Sequence, residues 1–525
     1  MNGVTTLHNQ SEVISKGSVV REPAPKEPIP SPCEQTLQSP RSVPKSVINS
    51  EIPSSMCLIN GMEAMSFRLR AVDDVPAVVL AAGGCDGLIP LSVKIPKALL
   101  HVGNKSLICG TLENLWSSGI CRILIITDKK DNEDIELHVR SHFLEPRVLD
   151  AQLPSKPKLD VTFHPLVDRT ESNLGTTDVL KHISANLDCD FLVVPCDLHG
   201  HFNFRGLIEH HRSSIRLCTL ALIEDERVGK SVKRGKEAAE DQVAPGGNQV
   251  RGWGYKYRVL ATLDTAESQI IGISDVMSIN SGESYELSKW SLMRHPHCTM
   301  RRDLYDAHIY MFSKDIFKVA SLESMEQTSI RLDLIPYIIR MQETVTSVNW
   351  FKAGDGKLLE ADKLWAMDEF ESSVDSDSTR VFYYLGIGDA HQCCRVNSLE
   401  SLMATNMQAC LDKTNKQPPP RTENSSAKVR DVIVASGCQF GSNANIRSCV
   451  FGTNVSIGAG CKISRCVIMD DVKIEDNVVL DRCIIGGRCT ISAKTTMKHV
   501  VVAPDHTVPG NMYLERDFFP PFIEE

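Results

Sequence analysis

Two glycines and an aspartate stand where a chain can handle a phosphate. Val78 to Ala82 form an apolar run that stops at Gly83-Gly84. Glycine lets backbone N–H groups close on an anion, so a strand ending in this pair can cradle phosphate oxygens. A second apolar run, Phe191 to Val194, leads through Pro195 and Cys196 to Asp197, a hard carboxylate able to hold magnesium. In open α/β sheets ligands sit off the carboxyl ends of the strands, where both features fall. The loop after the two glycines carries Asp86, whose like charge repels a triphosphate, and Gly87, which offers no side chain.

The elements that must position these residues follow from periodicity. Buried strands are expected at 77–82, 123–127, 190–197 and 218–223, and Leu107 to Ser117 has helical apolar spacing. Such alternation marks βαβ units on a parallel sheet. A length of 525 residues predicts two or three domains. The net charge of −9 argues against a nucleic-acid binder that relies on bulk charge. No apolar run approaches the ~20 residues of a membrane span, and no signal-peptide pattern opens the chain. The 18 cysteines show no paired C-x-x-C spacing, so reduced thiols in a cytosolic protein are expected.

Five segments are predicted: a disordered Pro/Ser-rich extension at 1–72, an α/β domain at 73–345, an acidic excursion and linker helix at 346–422, a repeat at 423–505 and a tail at 506–525. The α/β domain carries a charged insertion at 226–250, and the acidic stretch spans 353–380. The linker helix, 398–411, has Asn397 and Glu400 at its start in a capping-box-like arrangement. In the repeat, bulky residues recur at Val429, Val434, Phe440, Ile446, Phe451, Ile457 and onward to Val502, in steps of 5, 6 and 6. Two residues before each stands a mostly small or β-branched residue, six times a cysteine. This register describes a triangular solenoid with one bulky and one small side chain inward per strand, and makes those cysteines packing residues.

The loop resembles the signature of sugar-1-phosphate nucleotidyltransferases, Gly-x-Gly-Thr-Arg-Leu-x-Pro-Leu-Thr with Pro-Lys three residues on. Leu88, Pro90, Leu91, Ser92 and Pro96-Lys97 keep its frame, whereas Cys85, Asp86 and Gly87 replace Gly, Thr and Arg. The lost Arg is the cation needed where a pyrophosphate leaves. Leu174-Gly175-Thr176-Thr177 is similar to the family's base-contacting segment, Asp197 to its magnesium-binding Asp, and Asp306-Ala307-His308-Ile309-Tyr310 to the strand that closes its site. Its Glu-Lys-Pro has no counterpart between 250 and 280. The resemblance implies an α/β Rossmann-like nucleotidyltransferase-type domain followed by a left-handed parallel β-helix. It implies a vestigial nucleotide pocket at Gly83, Gly84, Lys97, Gly175, Thr176 and Asp197, a catalytic position lost at Gly87, and no catalytic residue, metal or cofactor.

This pairing of domains is known from GDP-mannose pyrophosphorylases, bacterial bifunctional synthases, and the gamma and epsilon subunits of eukaryotic translation initiation factor 2B. Val102 to Ile108, Arg294-His295-Pro296, Thr328 to Tyr337 and Cys394 to Leu399 resemble the gamma type. An ending about twenty residues past the last coil, without epsilon's helical exchange domain, points the same way. The resemblance implies a non-catalytic, cytosolic subunit of a guanine-nucleotide exchange complex. Its partners would be the epsilon, alpha, beta and delta subunits and initiation factor 2, without DNA or membrane binding. The alternative is a sugar-1-phosphate guanylyltransferase making GDP-mannose, which predicts a basic residue at position 87. A hexapeptide acyltransferase predicts a histidine between coils, for which His499 is the candidate.

Overall fold

The computed structural model describes residues 75–83, 86–144, 159–166, 174–214, 216–224, 258–282, 284–322, 328–342, 380–386, 393–411 and 427–519. The expectations for 1–72, for the insertion at 226–250 and for the acidic stretch up to 379 lie outside them.

The α/β domain is built on a nine-stranded mixed sheet. Its strands are β1 (Ala77–Leu80), β2 (Arg122–Asp128), β3 (Asp160–Leu166), β4 (Phe191–Pro195), β6 (Cys218–Glu224), β7 (Arg258–Asp264), β8 (Gln269–Asp275), β9 (Cys298–Phe312) and β10 (Val381–Gly386). A short strand β5 (Leu198–Gly200) lies outside this sheet and pairs with β11 (Cys393–Arg395). The order is β3-β2-β1-β4-β9-β6-β10-β8-β7, with β9 also pairing to β7. β1 runs parallel to β2 and β4, with Val79 beside Ile125 and Val194. Such strands are apolar throughout because both faces of the sheet are covered. Helices α1 (Leu107–Ser117), α2 (Asn132–Val139) and α4 (Phe204–Arg212) place Leu112, Ile135 and Leu207 on one face. Helix α3 (Thr176–Ile183) and residues 316–322 and 328–342 cover the other through Val179, Leu180, Ile316 and Ile338.

The domain does not end at 345. β10 pairs parallel with β6 from Val381–Cys218 to Gly386–Ile223, so the chain returns to fill the middle of the sheet after the undescribed stretch. A run of Val-Phe-Tyr-Tyr-Leu is a strand by propensity, and burial between β6 and β8 completes it. Helix α5 (Leu399–Leu411) then begins. Its cap is Ser398 rather than Asn397: Ser401 N–H donates to Ser398 Oγ at 3.1 Å and Ser398 N–H to Ser401 Oγ at 3.0 Å. That pair does the work expected of Asn397 and Glu400.

From Lys428 the chain climbs in coils of three short strands stacked into three parallel sheets. Residue i pairs with i + 17, Ile446 with Ile463 and Ile463 with Leu480. Inward columns of Ile446, Phe451, Ile457 and their equivalents make a continuous core, with Cys449, Cys461, Cys466, Cys483 and Cys489 as its buried small members. The coils run past residue 505. Thr507–Val508, Tyr513–Glu515 and Phe518–Phe519 add to the three sheets, so the segment expected to be a tail continues the stack and adds His506 to the histidines of the coils.

The second sheet of the solenoid carries Val467, Ile484 and Val501 outward, and they are nonetheless buried. They pack with Leu402, Met403 and Met407 of α5 and with Leu88, Leu91 and Leu100 of the glycine loop region. Lys94 reaches Asp505 at 2.8 Å beside this seam. An Ile484→Asp variant would bury an unpaired carboxylate there, and we expect it to cost about 2–5 kcal/mol in urea unfolding. An unchanged midpoint would show that the solenoid does not depend on this seam.

Candidate functional site

The predicted residues gather off the carboxyl ends of β1 and β4. Gly83 has φ +105° and its N–H donates to Asp128 Oδ2 at 2.8 Å, so a carboxylate from the end of β2 stands on the backbone donor that a phosphate would use. Gly84 and Cys85 lie outside the described residues. Gly175 is the N-cap of α3 and its N–H donates to Asp178 at 2.7 Å. Thr176 Oγ1 accepts from Ile330 N–H at 2.8 Å, and Thr177 N–H donates to Thr328 O at 3.0 Å. The Thr328–Leu334 segment is thereby bound to the start of α3.

Asp197 is fully buried. Arg395 holds it through two bonds, Nε to Oδ1 and Nη2 to Oδ2, both 2.9 Å, and Lys97 Nζ adds a contact at 3.3 Å to Oδ2. The backbone reinforces this: β11 pairs antiparallel with β5 right after Asp197, and Val396 N–H donates to Asp197 O at 2.9 Å. Burial acts to raise the Asp197 pKa, but Arg395 and then Lys97 hold it below the ordinary carboxylate value. Both carboxylate oxygens are engaged by cations of the same chain. The donors at Asp197 therefore do not fit a magnesium ion, which needs them free and unpaired.

Arg395 was not among the residues singled out for chemistry, although its segment was. The position of Gly87 depends on that same segment. A Cβ at 87 would meet the Asn397 carbonyl oxygen closer than van der Waals contact allows, against backbone that cannot swing aside. Where the nucleotidyltransferase signature has Arg, this chain has no room for a side chain.

A second buried carboxylate, Asp306, lies on β9 where the strand slips register against β6 between Asp306 and Tyr310. His308, within that bulge, has φ +54°. Asp306 accepts from His308 N–H at 2.8 Å and from Tyr310 OH at 2.9 Å, and Arg331 Nε lies 3.5 Å away. Burial pushes its pKa up against the opposing pull of Arg331. The same burial holds the His308 pKa well down. Arg331 also bonds Asp275 at 3.0 Å, which ties the strand, the bulge and the 328–334 segment together. Elsewhere Asp264, Glu267 and His295 bring three donor atoms within 4.8 Å. His295 Nδ1 lies 2.6 Å from Asp264 Oδ2, a hydrogen-bond separation, and Asp264 Oδ1 caps the turn at Ala266, so this group locks a hairpin.

Residues 76–230 match the nucleotidyl transferase family model, and residues 416–514 match that of the initiation factor 2B epsilon subunit left-handed β-helix domain. The chain thus joins a nucleotidyltransferase-type α/β domain to a left-handed β-helix similar to that of the initiation factor 2B epsilon subunit. It is similar to translation initiation factor eIF2B subunit gamma of Schizosaccharomyces pombe, 24% identical over 54% of this chain and 55% of that one. The gamma subunit of Dictyostelium discoideum is 23% identical over 50% of this chain and 57% of that protein. A putative mannose-1-phosphate guanyltransferase of Sulfolobus acidocaldarius is 31% identical over 29% of this chain and 38% of its own. The matches span about half the length of the gamma subunits. They bear out the fold and the resemblance to initiation factor 2B gamma subunits.

Two measurements test the site. Gly87→Arg should lower the urea midpoint rather than restore activity, because the side chain must displace Asn397; a variant as stable as the parent would show that the loop can open. Arg395→Met leaves a buried carboxylate with Lys97 alone and should cost about 3–5 kcal/mol at neutral pH. Because the folded pKa of Asp197 is depressed, its pairing stabilises the fold above the ordinary carboxylate value and is lost as pH falls through the folded one. The variant should therefore lose less stability than the parent does as pH falls below the ordinary carboxylate value of ~4.

Proposed function

We propose that the chain is a non-catalytic, gamma-type subunit of the guanine-nucleotide exchange complex, translation initiation factor 2B, and that it acts in the cytosol. It pairs with an epsilon subunit, assembles with alpha, beta and delta, and helps release GDP from initiation factor 2. The observation that supports this reading is Arg395 on Asp197. An internal guanidinium takes the carboxylate that resembles the metal-binding residue of the nucleotidyltransferases, and the Arg of their signature is absent at Gly87. On this reading Gly83, Gly84, Lys97, Gly175, Thr176 and Asp197 are a vestigial pocket with a structural use. No helix among the described residues is long and apolar enough to cross a membrane.

An exchange factor binds the nucleotide-free form of its target more tightly, and linkage then requires it to weaken GDP binding. The subunit's part is to position epsilon and extend the docking surface, with no bond chemistry of its own. The decisive experiment is a tagged purification from the source cytosol, followed by GDP-release assays on initiation factor 2 with and without the recovered complex. Co-purification with an epsilon-like subunit and accelerated release are expected. Recovery of the chain alone, with pyrophosphate release from GTP and mannose-1-phosphate, would instead establish a guanylyltransferase.

A further inference from the structure

The three faces of the solenoid differ in what they present. The second sheet is covered by α5 and the loop region. The first sheet and the corner that follows it are basic. The strand positions that flank the inward residues, and the corner, carry Lys428, Arg430, Arg447, Lys462, Arg482 and Arg516. None of these six forms a salt bridge within the described residues. Arg465, one coil below Arg482, is bound to Asp481 at 2.9 Å, and Lys498 stands 5.5 Å from the Tyr513 ring centroid. The acids of this face are Asp431, Asp481 and Glu515. Most other acids of the solenoid lie away from it, as Asp470, Asp471, Glu475, Asp476 and Asp505 near the other corners. A positive face on a chain of net charge −9 is a segregation of charge, which the solubility of the whole does not require.

The 17-residue register fixes the spacing. Arg465, Arg482, His499 and Arg516 occupy one corner in successive coils, with φ of +53° to +55°. Burial, and then the neighbouring Arg482 and Arg516, hold the His499 pKa down, as expected where cations crowd. Stacked coils are ~4.8 Å apart, close to the ~5.4 Å pitch of an α-helix. A helix lying along the solenoid axis with one carboxylate per turn would meet about one cation per coil. Polynucleotide fits less well. The acids stand in the same columns as the cations, and Tyr513, the aromatic side chain of this face, is already engaged by Lys498 rather than open for stacking.

We propose that the first-sheet face of the β-helix is a docking surface for an acidic α-helix of a partner protein. The test uses the full chain and fluorescence anisotropy. The probe is a labelled Ala-rich peptide of about 20 residues with Glu in i, i+4 steps, and its control is the same peptide with Gln. The Glu peptide should bind, with affinity falling as salt rises, and the Gln peptide should bind at least about tenfold more weakly. Arg430→Glu with Arg447→Glu and Arg482→Glu should weaken Glu-peptide binding at least about tenfold. The triple Gln variant should lie between this and the parent. Lys473→Glu with Lys494→Glu, on and beside the third sheet, should change it less than about twofold. Thermal unfolding confirms that each variant is folded. Equal losses in the two reversal variants, or no binding at low salt, would overturn the proposal. So would tighter binding of a single-stranded RNA of similar length through the same arginines.

Discussion

A carboxylate with no exposure to water stays charged only if cations and hydrogen bonds replace its solvation, and Asp197 obtains both from one side chain. Arg395 makes a two-pronged contact that Lys could not make, and its planar group is fixed by the β5–β11 pairing on either side. Much of the remaining architecture hangs from that contact. It stations residues 393–398 across the carboxyl end of β4, sets the Asn397 carbonyl against Gly87, and delivers Ser398 as the cap from which α5 starts.

From there the constraint passes to the solenoid mainly by packing, with Lys94 on Asp505 beside the seam. Leu402, Met403 and Met407 follow at helical spacing, so the face that leaves the pocket is the one that receives Val467, Ile484 and Val501. The loop region contributes Leu88, Leu91 and Leu100 to the same cluster, and the degenerate glycine loop is therefore part of the seam between the α/β domain and the β-helix. Leu88, Leu91 and Leu100, which follow the Gly83-Gly84 pair in sequence, serve as packing surface. Asp128 on the Gly83 N–H has the same character: a donor suited to a ligand is satisfied from within.

The two buried acids of the region show how neighbours decide the state of a carboxyl group. Asp197 faces a guanidinium fork and an ammonium, and is held in its charged form. Asp306 has Arg331 only at 3.5 Å, and burial dominates. Its bonds to Tyr310 and to the His308 backbone support a strained bulge. The charges of the solenoid are arranged by the same logic at longer range, where a repeat of 17 residues turns a chemical preference at one corner into a row.

Much of this protein was legible in its residues because short-range rules govern it. The apolar runs within 77–82, 123–127, 190–197 and 218–223 declare buried strands, and a strict 5, 6, 6 step declares the coil, since both are local periodicities. Gly87 and Asp86 likewise announced a loop without its cation. What the chain order concealed was everything that depends on partners far apart in sequence. Arg395 lies 198 residues from Asp197, Asp128 lies 45 from Gly83, and β10 returns to β6 only after three other strands of the sheet have intervened. The end of the repeat was missed for a related reason. Beyond Val502 the coils at Val508, Leu514 and Phe519 keep the step, but His506, Met512 and Asp517 stand two residues before them where small or β-branched residues are expected, so the pattern weakens where the stack still holds. Periodicity by itself determined the two domains. Only the tertiary fold could show that a linker arginine neutralises the buried aspartate, because a charge is matched by whatever the folded chain brings within hydrogen-bond reach.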